Sequence, residues 1–317
     1  MNKDSKIYVA GHSGMVGSAI IRGLRTRGYE NINYVTRKEC DLTNQAEVRK
    51  YFETQRPDYV IDAAARVGGI NANNKYRAEF LSENLIIQHN IIDSAHRYNV
   101  NKLLFLGSSC IYPRNCDIPI NEKSLLTGQL EPTNEPYAIA KIAGIKMCEN
   151  YYRQYGSNFI SAMPTNLFGL NDNFDLDTSH VLPALIRKIV EAKIHNNNEV
   201  VVWGTGKPRR EFLYIDDCAD ACIFLIENLD AEELYGWDIS QINVGSGKDI
   251  SISELATIIA KVIGYEKSII FDSSMPDGVP RKVLDVSRIN KLGWKSSTSL
   301  FEGISKTYEW YVKEKCI

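Results

Sequence analysis

The chain has 317 residues, 44% hydrophobic and 24% charged, with a net charge of −2. That length holds one large domain or two modest ones, and the composition is that of an ordinary globular protein. The near-neutral balance argues against a general nucleic-acid or membrane-surface binder, no apolar run has membrane-spanning length, and MNKDSKIYVAG lacks the apolar region of a signal peptide.

In chain order, KIYVAG (6–11) predicts a buried strand and SAIIRGLRTRGY (18–29) a helix. INYVT (32–36) predicts a strand, QAEVRKYFETQ (45–55) a helix, DYVIDAAA (58–65) a strand, 78–98 a helix and KLLFLGSS (102–109) a strand. After a further helix, ISAMPTN (160–166) continues the series. Apolar strands alternating with helices predict an α/β fold, a doubly wound parallel sheet covered on both faces. Beyond residue 170 the pattern loosens. An acidic loop (Asp172, Asp175, Asp177) leads to the helical HVLPALIRKIV, and 200–217 mixes strand, turn and helix start. INVGSG (242–247) predicts a strand and SISELATIIAKVIG a helix. The expected division is a nucleotide domain over 1–170, to which part of 211–247 returns, and a smaller, discontinuous substrate domain over 171–317. The seven cysteines (40, 110, 116, 148, 218, 222, 316) are odd in number and scattered, which predicts reduced thiols and a cytoplasmic protein. Cys218 and Cys222 fall in an apolar helical stripe and read as core. With neither HExxH nor paired CxxC, no metal is expected.

GHSGMVG, after the first strand, spaces Gly11, Gly14 and Gly17 as GxxGxxG. Gly11 permits the tight turn, Gly14 lets backbone approach a pyrophosphate, and Gly17 lets the helix pack close to the strand with its N-terminus toward the phosphates. A lone glycine triplet is a weak signal; between a strand and a helix, at the start of an alternating series, it marks a Rossmann dinucleotide site. NAD would want an acid near position 37, where the chain has Thr36, Arg37 and Lys38. A guanidinium suits a 2′-phosphate because it donates two parallel hydrogen bonds. The expected cofactor is NADP(H), with Asp41 and Leu42 along the adenine; the alternative for Arg37 is a solvated surface charge.

LGSSCIYP (106–113) places Ser108 and Cys110 at the open end of a strand. A free cysteine there is either a small buried residue or a reactive group. NEPYAIAK holds Tyr137 and Lys141 four apart at a helix start, on one face. An ammonium there is expected to lower the phenol's pKa, so that the tyrosine protonates an alkoxide. YxxxK by itself is common by chance. With the glycine turn and an upstream strand-end serine, chance explains it poorly.

On these residues the chain resembles the extended short-chain dehydrogenase/reductase family. GHSGMVGSA, AAARVGGI (63–70), GSSCIYP, LEPTNEPYAIAKIAG (130–144), MPTNLFG (163–169) and PDGVPRK (276–282) are similar to its branch of NADPH-dependent 3,5-epimerase-4-reductases that act on GDP-4-keto-6-deoxymannose. The resemblance spans the chain. It implies a reductase set of Ser108, Tyr137 and Lys141 and an epimerisation pair of Cys110 and His180. It implies that the 11–17 turn (with His12, Ser13, Met15 and Val16), Ala64, Lys141, His180 and residues Pro164, Thr165, Asn166 and Leu167 adjoin the cofactor. It implies further that Lys188, Trp203 and Arg210 hold the GDP-sugar, and that a homodimer forms through helices around 78–98 and 137–155. Ser13 departs from the family, which commonly has Arg there as a second 2′-phosphate ligand.

Inverting C3 and C5 requires removing protons α to the C4 ketone, and donors from Ser108 and Tyr137 would stabilise the resulting enolate. His180 follows the acidic loop and begins a helix behind Ser179. A helix N-terminus lowers a histidine's pKa and carboxylates raise it, so its charge stays open. Trp203 offers a stacking surface or core bulk, KPRR (207–210) offers cations to a diphosphate, and Asp277 and Arg281 either close over a ligand or are solvated turn residues. GTGK (204–207) lacks P-loop spacing. The expected function is conversion of a GDP-4-keto-6-deoxy sugar to GDP-L-fucose. The alternatives are an epimerase-reductase or C4 reductase for another GDP-4-keto sugar (colitose or heptose type) and, from another class, a non-catalytic NADP-sensing protein.

Overall fold

The structure is a computed structural model that describes residues 1–275 and 277–316. Pro276, the first residue of PDGVPRK, lies outside the described residues. The first half alternates β1 (Ile7–Ala10), α1 (Met15–Thr26), β2 (Ile32–Asn33), α2 (Gln45–Gln55), β3 (Tyr59–Asp62), α3 (Ile70–Lys75), α4 (Arg77–Arg97), β4 (Lys102–Leu106), α5 (Glu135–Tyr155) and β5 (Phe159–Pro164). The second half contains β6 (Asn166–Phe168), α6 (Val181–Ile194), β7 (Glu199–Trp203), β8 (Arg209–Tyr214), α7 (Ile215–Asn228), α8 (Ala231–Gly236), β9 (Ile242–Val244), β10 (Asp249–Ser251), α9 (Ile252–Ile263), β11 (Ser268–Asp272), β12 (Arg281–Lys282), α10 (Ser287–Leu292) and α11 (Leu300–Lys315). Among these elements no helix is long and apolar enough to cross a membrane.

The main sheet is parallel throughout, in the order β2-β1-β3-β4-β5-β9. Its strands β1, β4 and β5 are buried along their whole length, as expected of a sheet covered on both faces. Helices α4 and α5 pack together on one face, and α1 packs with α7 on the other. The strand order reverses at β1/β3, the switch point where ligands of open α/β sheets bind beyond the strand ends. A second group forms around β8, which pairs with β6, β10 and β12, and β7 pairs separately with β11.

The expected strands end early, three of them for an identifiable local reason. Residue 36 leaves β2 because the Glu39 carboxylate folds back to take the Thr36 amide and hydroxyl, both at 2.8 Å. The 102–109 strand stops at Leu106, since Gly107 is pressed against Met163 and Ser108 caps a 3-10 turn over 109–111. The 160–166 segment splits, because Pro164 closes β5 and Asn166 then pairs with Phe212 of β8 in the other sheet.

The first turn depends on missing side chains. Gly11 has φ +78°, and a Cβ on it would lie 2.8 Å from Ala64 Cα. A Cβ on Gly17 would fall far inside van der Waals contact with the Gly11 carbonyl. Backbone cannot rotate away as a flexible side chain can, so Gly17→Ala should cost at least the ~1–3 kcal/mol typical of overpacking. Gly236→Ala, with nothing within 4 Å of its added methyl, is the control. Urea unfolding should show a lower midpoint for the first and little change for the second.

Candidate active site

α5 sets the reductase geometry. Asn134 stands at its N-cap with Pro136 in the first turn, which places Tyr137 and Lys141 one turn apart on a single face. Lys141 is buried, donates to the Leu106 carbonyl at 2.8 Å and lies 4.6 Å from the Phe105 ring. That bond fixes α5 over the end of β4, beside Ser108. The Lys141 ammonium is 5.9 Å from the Tyr137 ring centroid. The expected lowering of the phenol is not found: burial raises the Tyr137 pKa and nearby Cys110 raises it further. In this state Tyr137 is a protonated donor, and Lys141, whose own pKa is lowered by burial, is spent on the Leu106 carbonyl.

Cys110 is 7% exposed, and its amide donates to Ser108 Oγ at 3.5 Å. Burial raises its thiol, contrary to the activated thiol expected of a reactive residue. The largest opposing influence is Lys282, followed by Ser108 and Lys141. Lys282 was missed as a site residue although PDGVPRK contains it. Its signal is long-range: β12 pairs parallel with β8, setting Lys282 opposite Arg210. The buried Glu211 carboxylate locks that arrangement, taking the Leu284 amide at 2.8 Å and the Gly247 amide at 2.7 Å.

His180 is itself the N-cap of α6, in place of the Ser179 cap expected, and Ser179 Oγ is buried without a partner. His180 meets solvent on one side while protein encloses the rest, and this desolvation lowers its pKa. No carboxylate offsets it. Asp175 is occupied by the Thr178 hydroxyl and the amides of Asp177 and Thr178. Asp172, raised to about 7 by burial, takes the Asn173 amide. The open choice at His180 therefore resolves toward neutral imidazole near pH 7.

The dinucleotide end fits its expected cofactor. α1 starts at Met15, its N-cap Gly14 makes no side-chain bond, and Ser13 and Gly14 are exposed, which leaves helix-terminal amides facing open space. Val16 and Gly17 follow in the first turn, and the His12 ring stacks on Tyr34 at 4.7 Å. Arg37 is exposed and pairs with Asp41 through Nε at 3.5 Å, which leaves the outer edge of its guanidinium toward solvent. Asp41 is held by Thr43, and the Leu42 carbonyl takes Asn90 Nδ2 at 2.9 Å. Ala64 abuts Gly11. Pro164 ends β5, the Thr165 amide bonds Val244, and Asn166 bonds the Glu211 carbonyl at 2.8 Å, with Leu167 partly buried next to it.

The other end gathers Lys188, Trp203, Arg210 and Asp277. Trp203 is 59% exposed, which decides for a stacking surface over core bulk. Lys188 Nζ lies 5.5 Å from its ring and donates to Val201 at 3.2 Å. Asp277 takes the Thr205 amide and hydroxyl at 2.9 and 2.6 Å. Arg210 donates to the carbonyls of Arg209 and Val279, and a Cβ on Gly278 would meet its Nη2 at 2.9 Å. Arg281 instead pairs with Asp249, which makes it a brace for the loop. Among the described residues no cluster of metal-ligating side chains occurs.

Residues 7–245 match the NAD dependent epimerase/dehydratase family. The chain is 54% identical over 313 residues to the putative GDP-L-fucose synthase 2 of Arabidopsis thaliana, covering 99% of this chain and 93% of that protein. It is 52% identical to the GDP-L-fucose synthase of Escherichia coli (strain K12), covering 98% of this chain and 97% of that one. Among solved structures, the GDP-mannoheptose C4 reductase from Campylobacter jejuni with NADP bound superposes with a TM-score of 0.91 at 41% identity, covering 98% of this chain and 99% of that one.

Lys282→Met tests the thiol's electrostatic partner. Removing the cation should raise the Cys110 pKa, and each unit of rise cuts the thiolate fraction about tenfold below the midpoint. The pH dependence of Cys110 alkylation by iodoacetamide, followed by peptide mass spectrometry, should move to higher pH. An unmoved midpoint would remove Lys282 from the site.

Proposed function

The chain belongs to the NAD dependent epimerase/dehydratase family, and from that membership we propose that it converts GDP-4-keto-6-deoxy-D-mannose to GDP-L-fucose, inverting C3 and C5 and reducing C4. It is an NADP-dependent oxidoreductase with epimerase activity. The observation that carries the substrate reading is Cys110: a buried thiol whose electrostatic neighbours are Lys282, Ser108, Lys141 and Tyr137, so a proton-transfer group lies among the reduction groups.

In this reading Gly11–Gly17 cradles the pyrophosphate, with His12, Ser13, Met15 and Val16 along it. Arg37 takes the 2′-phosphate, Asp41, Leu42 and Ala64 flank the adenosine, and Lys141 turns to the ribose. Pro164, Thr165, Asn166 and Leu167, with His180, border the nicotinamide. Bound NADPH supplies the hydride equivalent for C4. Lys188, Trp203, Arg210 and Asp277 hold the GDP-sugar, the cations at its diphosphate and the indole against a ring. The domain reading, nucleotide over 1–170 with part of 211–247 returning to it and a discontinuous substrate part over 171–317, follows the same division of labour.

Ser108 and Tyr137 donate to the C4 oxygen, so removing a proton at C3 or C5 puts charge where two donors already point. Cys110, helped toward thiolate by Lys282, takes the proton from one face. His180 returns one from the other. Each inversion turns a thiolate and an imidazolium into a thiol and a neutral imidazole, the forms both groups hold at rest, so before each one a proton passes through solvent from Cys110 to the solvent-facing side of His180 and restores the ion pair. Reduction then draws the Tyr137 proton onto the C4 oxygen. We place the protein in the cytoplasm, in keeping with seven free cysteines, and as a homodimer through the outer faces of α4 and α5, where Ile86, Ile139 and Tyr155 are exposed.

Incubation with NADPH and GDP-4-keto-6-deoxymannose in D2O should yield GDP-L-fucose deuterated at C3 and C5. Turnover only with GDP-4-keto-heptoses or a dideoxy analogue would transfer the assignment to those sugars, and no NADPH oxidation with any of them would leave a sensor. Cys110→Ala should abolish deuterium uptake while C4 is still reduced, and Tyr137→Phe should slow reduction by about 10²–10⁴-fold. Arg37→Ala should weaken NADPH much more than NADH in isothermal titration. Equal losses would release Arg37 from the 2′-phosphate.

A further inference from the structure

One fully buried carboxylate takes no part in the chemistry above. Asp62, the last residue of β3, is 0% exposed. One of its oxygens accepts the Ala64 amide at 3.1 Å, and the other has no hydrogen-bond partner. Asp62 is in register with Phe105 of β4, and Phe105 with Ser161 of β5. Paired residues of parallel strands point to the same face, so these three side chains lie in a row. α5 crosses that row. Gly144 is seated on the Phe105 ring, Lys141 Nζ lies 4.6 Å from the same ring, and Ser161 Oγ, also buried and unpartnered, adjoins Cys148.

We propose that Asp62 is a positioning residue for Lys141, an internal counter-charge beneath the site that keeps the lysine ammonium charged and available to the ribose and Tyr137. This rests on the reading of Tyr137 and Lys141 as the reductase pair. Burial drives both groups toward neutrality, the carboxyl up to about 6 and the ammonium down, and each is the largest influence opposing that drive in the other. The other titratable groups facing the pair are Tyr137 and Cys110 near Lys141, Cys148 near both and, from β1, the Tyr8 phenol near Asp62. With its pKa near 6, Asp62 is ionised at neutral pH, and Lys141 has a partner there that it loses as pH falls through that value. A buried carboxylate with one oxygen orphaned weighs against stability, and the charge of Lys141 is the largest side-chain influence that offsets this cost.

The experiment follows the Lys141 side chain by 13C NMR of the cofactor-free protein labelled at lysine Cε, with Lys141→Met to assign the resonance. In Asp62→Asn and Asp62→Leu the Lys141 titration midpoint should fall by about one pKa unit or more. The alkaline limb of kcat for C4 reduction should move down with it, KM for NADPH should stay within about twofold, and Tm should be equal or higher. An unmoved Lys141 midpoint overturns the proposal, as does a lower Tm with an unshifted rate profile. If neither variant folds, the reciprocal measurement decides: in Lys141→Met the Asp62 carboxyl must titrate higher than in the wild type, and an equal midpoint overturns the proposal. The NMR arms need no substrate, so failure of the enzymatic reading shows separately, as a wild type that makes no product.

Discussion

The site depends on how closely α5 sits on the end of β4. Gly144 brings the helix down onto Phe105, Gly107 leaves room for Met163 beneath the strand end, and Lys141 ties the two elements by its bond to the Leu106 carbonyl. Larger residues at either glycine would lift the helix, and Tyr137 would move away from Ser108. A lysine used this way is costly, because a buried ammonium needs compensation. The carbonyl supplies some of it, the Phe105 face adds a cation–π contact, and the charge on Asp62 supplies more.

A second constraint joins the sheets. β5 stops at Pro164, and two residues later the chain pairs with β8, whose Glu211 carboxylate reaches the turn after β9 and the segment after β12. The carboxylate satisfies amides that burial would otherwise leave unpaired. Through it, β8 is tied to the turn after β9 and to the segment after the strand that carries Lys282. The cleft is therefore built from residues far apart in the chain and held by a side chain that touches no reactant.

This explains what could be read in advance. The alternating strands and helices were legible because apolar runs and amphipathic spacing are local, and the glycine turn was legible because Gly17 answers to the nearby Gly11 carbonyl and Gly11 to its own positive φ. Strand ends were not, since Glu39 folding onto Thr36 and Pro164 redirecting the chain are side-chain events within an extended-looking run. Charge states were the least legible. The sequence places carboxylates before His180, yet in the structure Asp175 is occupied within its own loop, burial raises Asp172, and desolvation alone acts on the ring. Lys282 and Asp62 carry no local mark of their roles. Each matters through a neighbour more than seventy positions away in the chain.

Taken together, the pKa directions describe a site whose reactive acids and base are uncharged at rest. Tyr137 and Cys110 are held as neutral acids by burial, His180 as a neutral base, and both lysines are pushed toward losing their protons. Each reactive acid nevertheless has a buried lysine nearby, Lys141 beside Tyr137 and Lys282 beside Cys110. In such a setting a proton transfer creates opposite charges close together, in a place where Coulomb attraction is poorly screened. The transient thiolate or enolate is then stabilised more than any resting ion would be. That asymmetry favours the transition state over the ground state, and it follows from where the chain buries its cations.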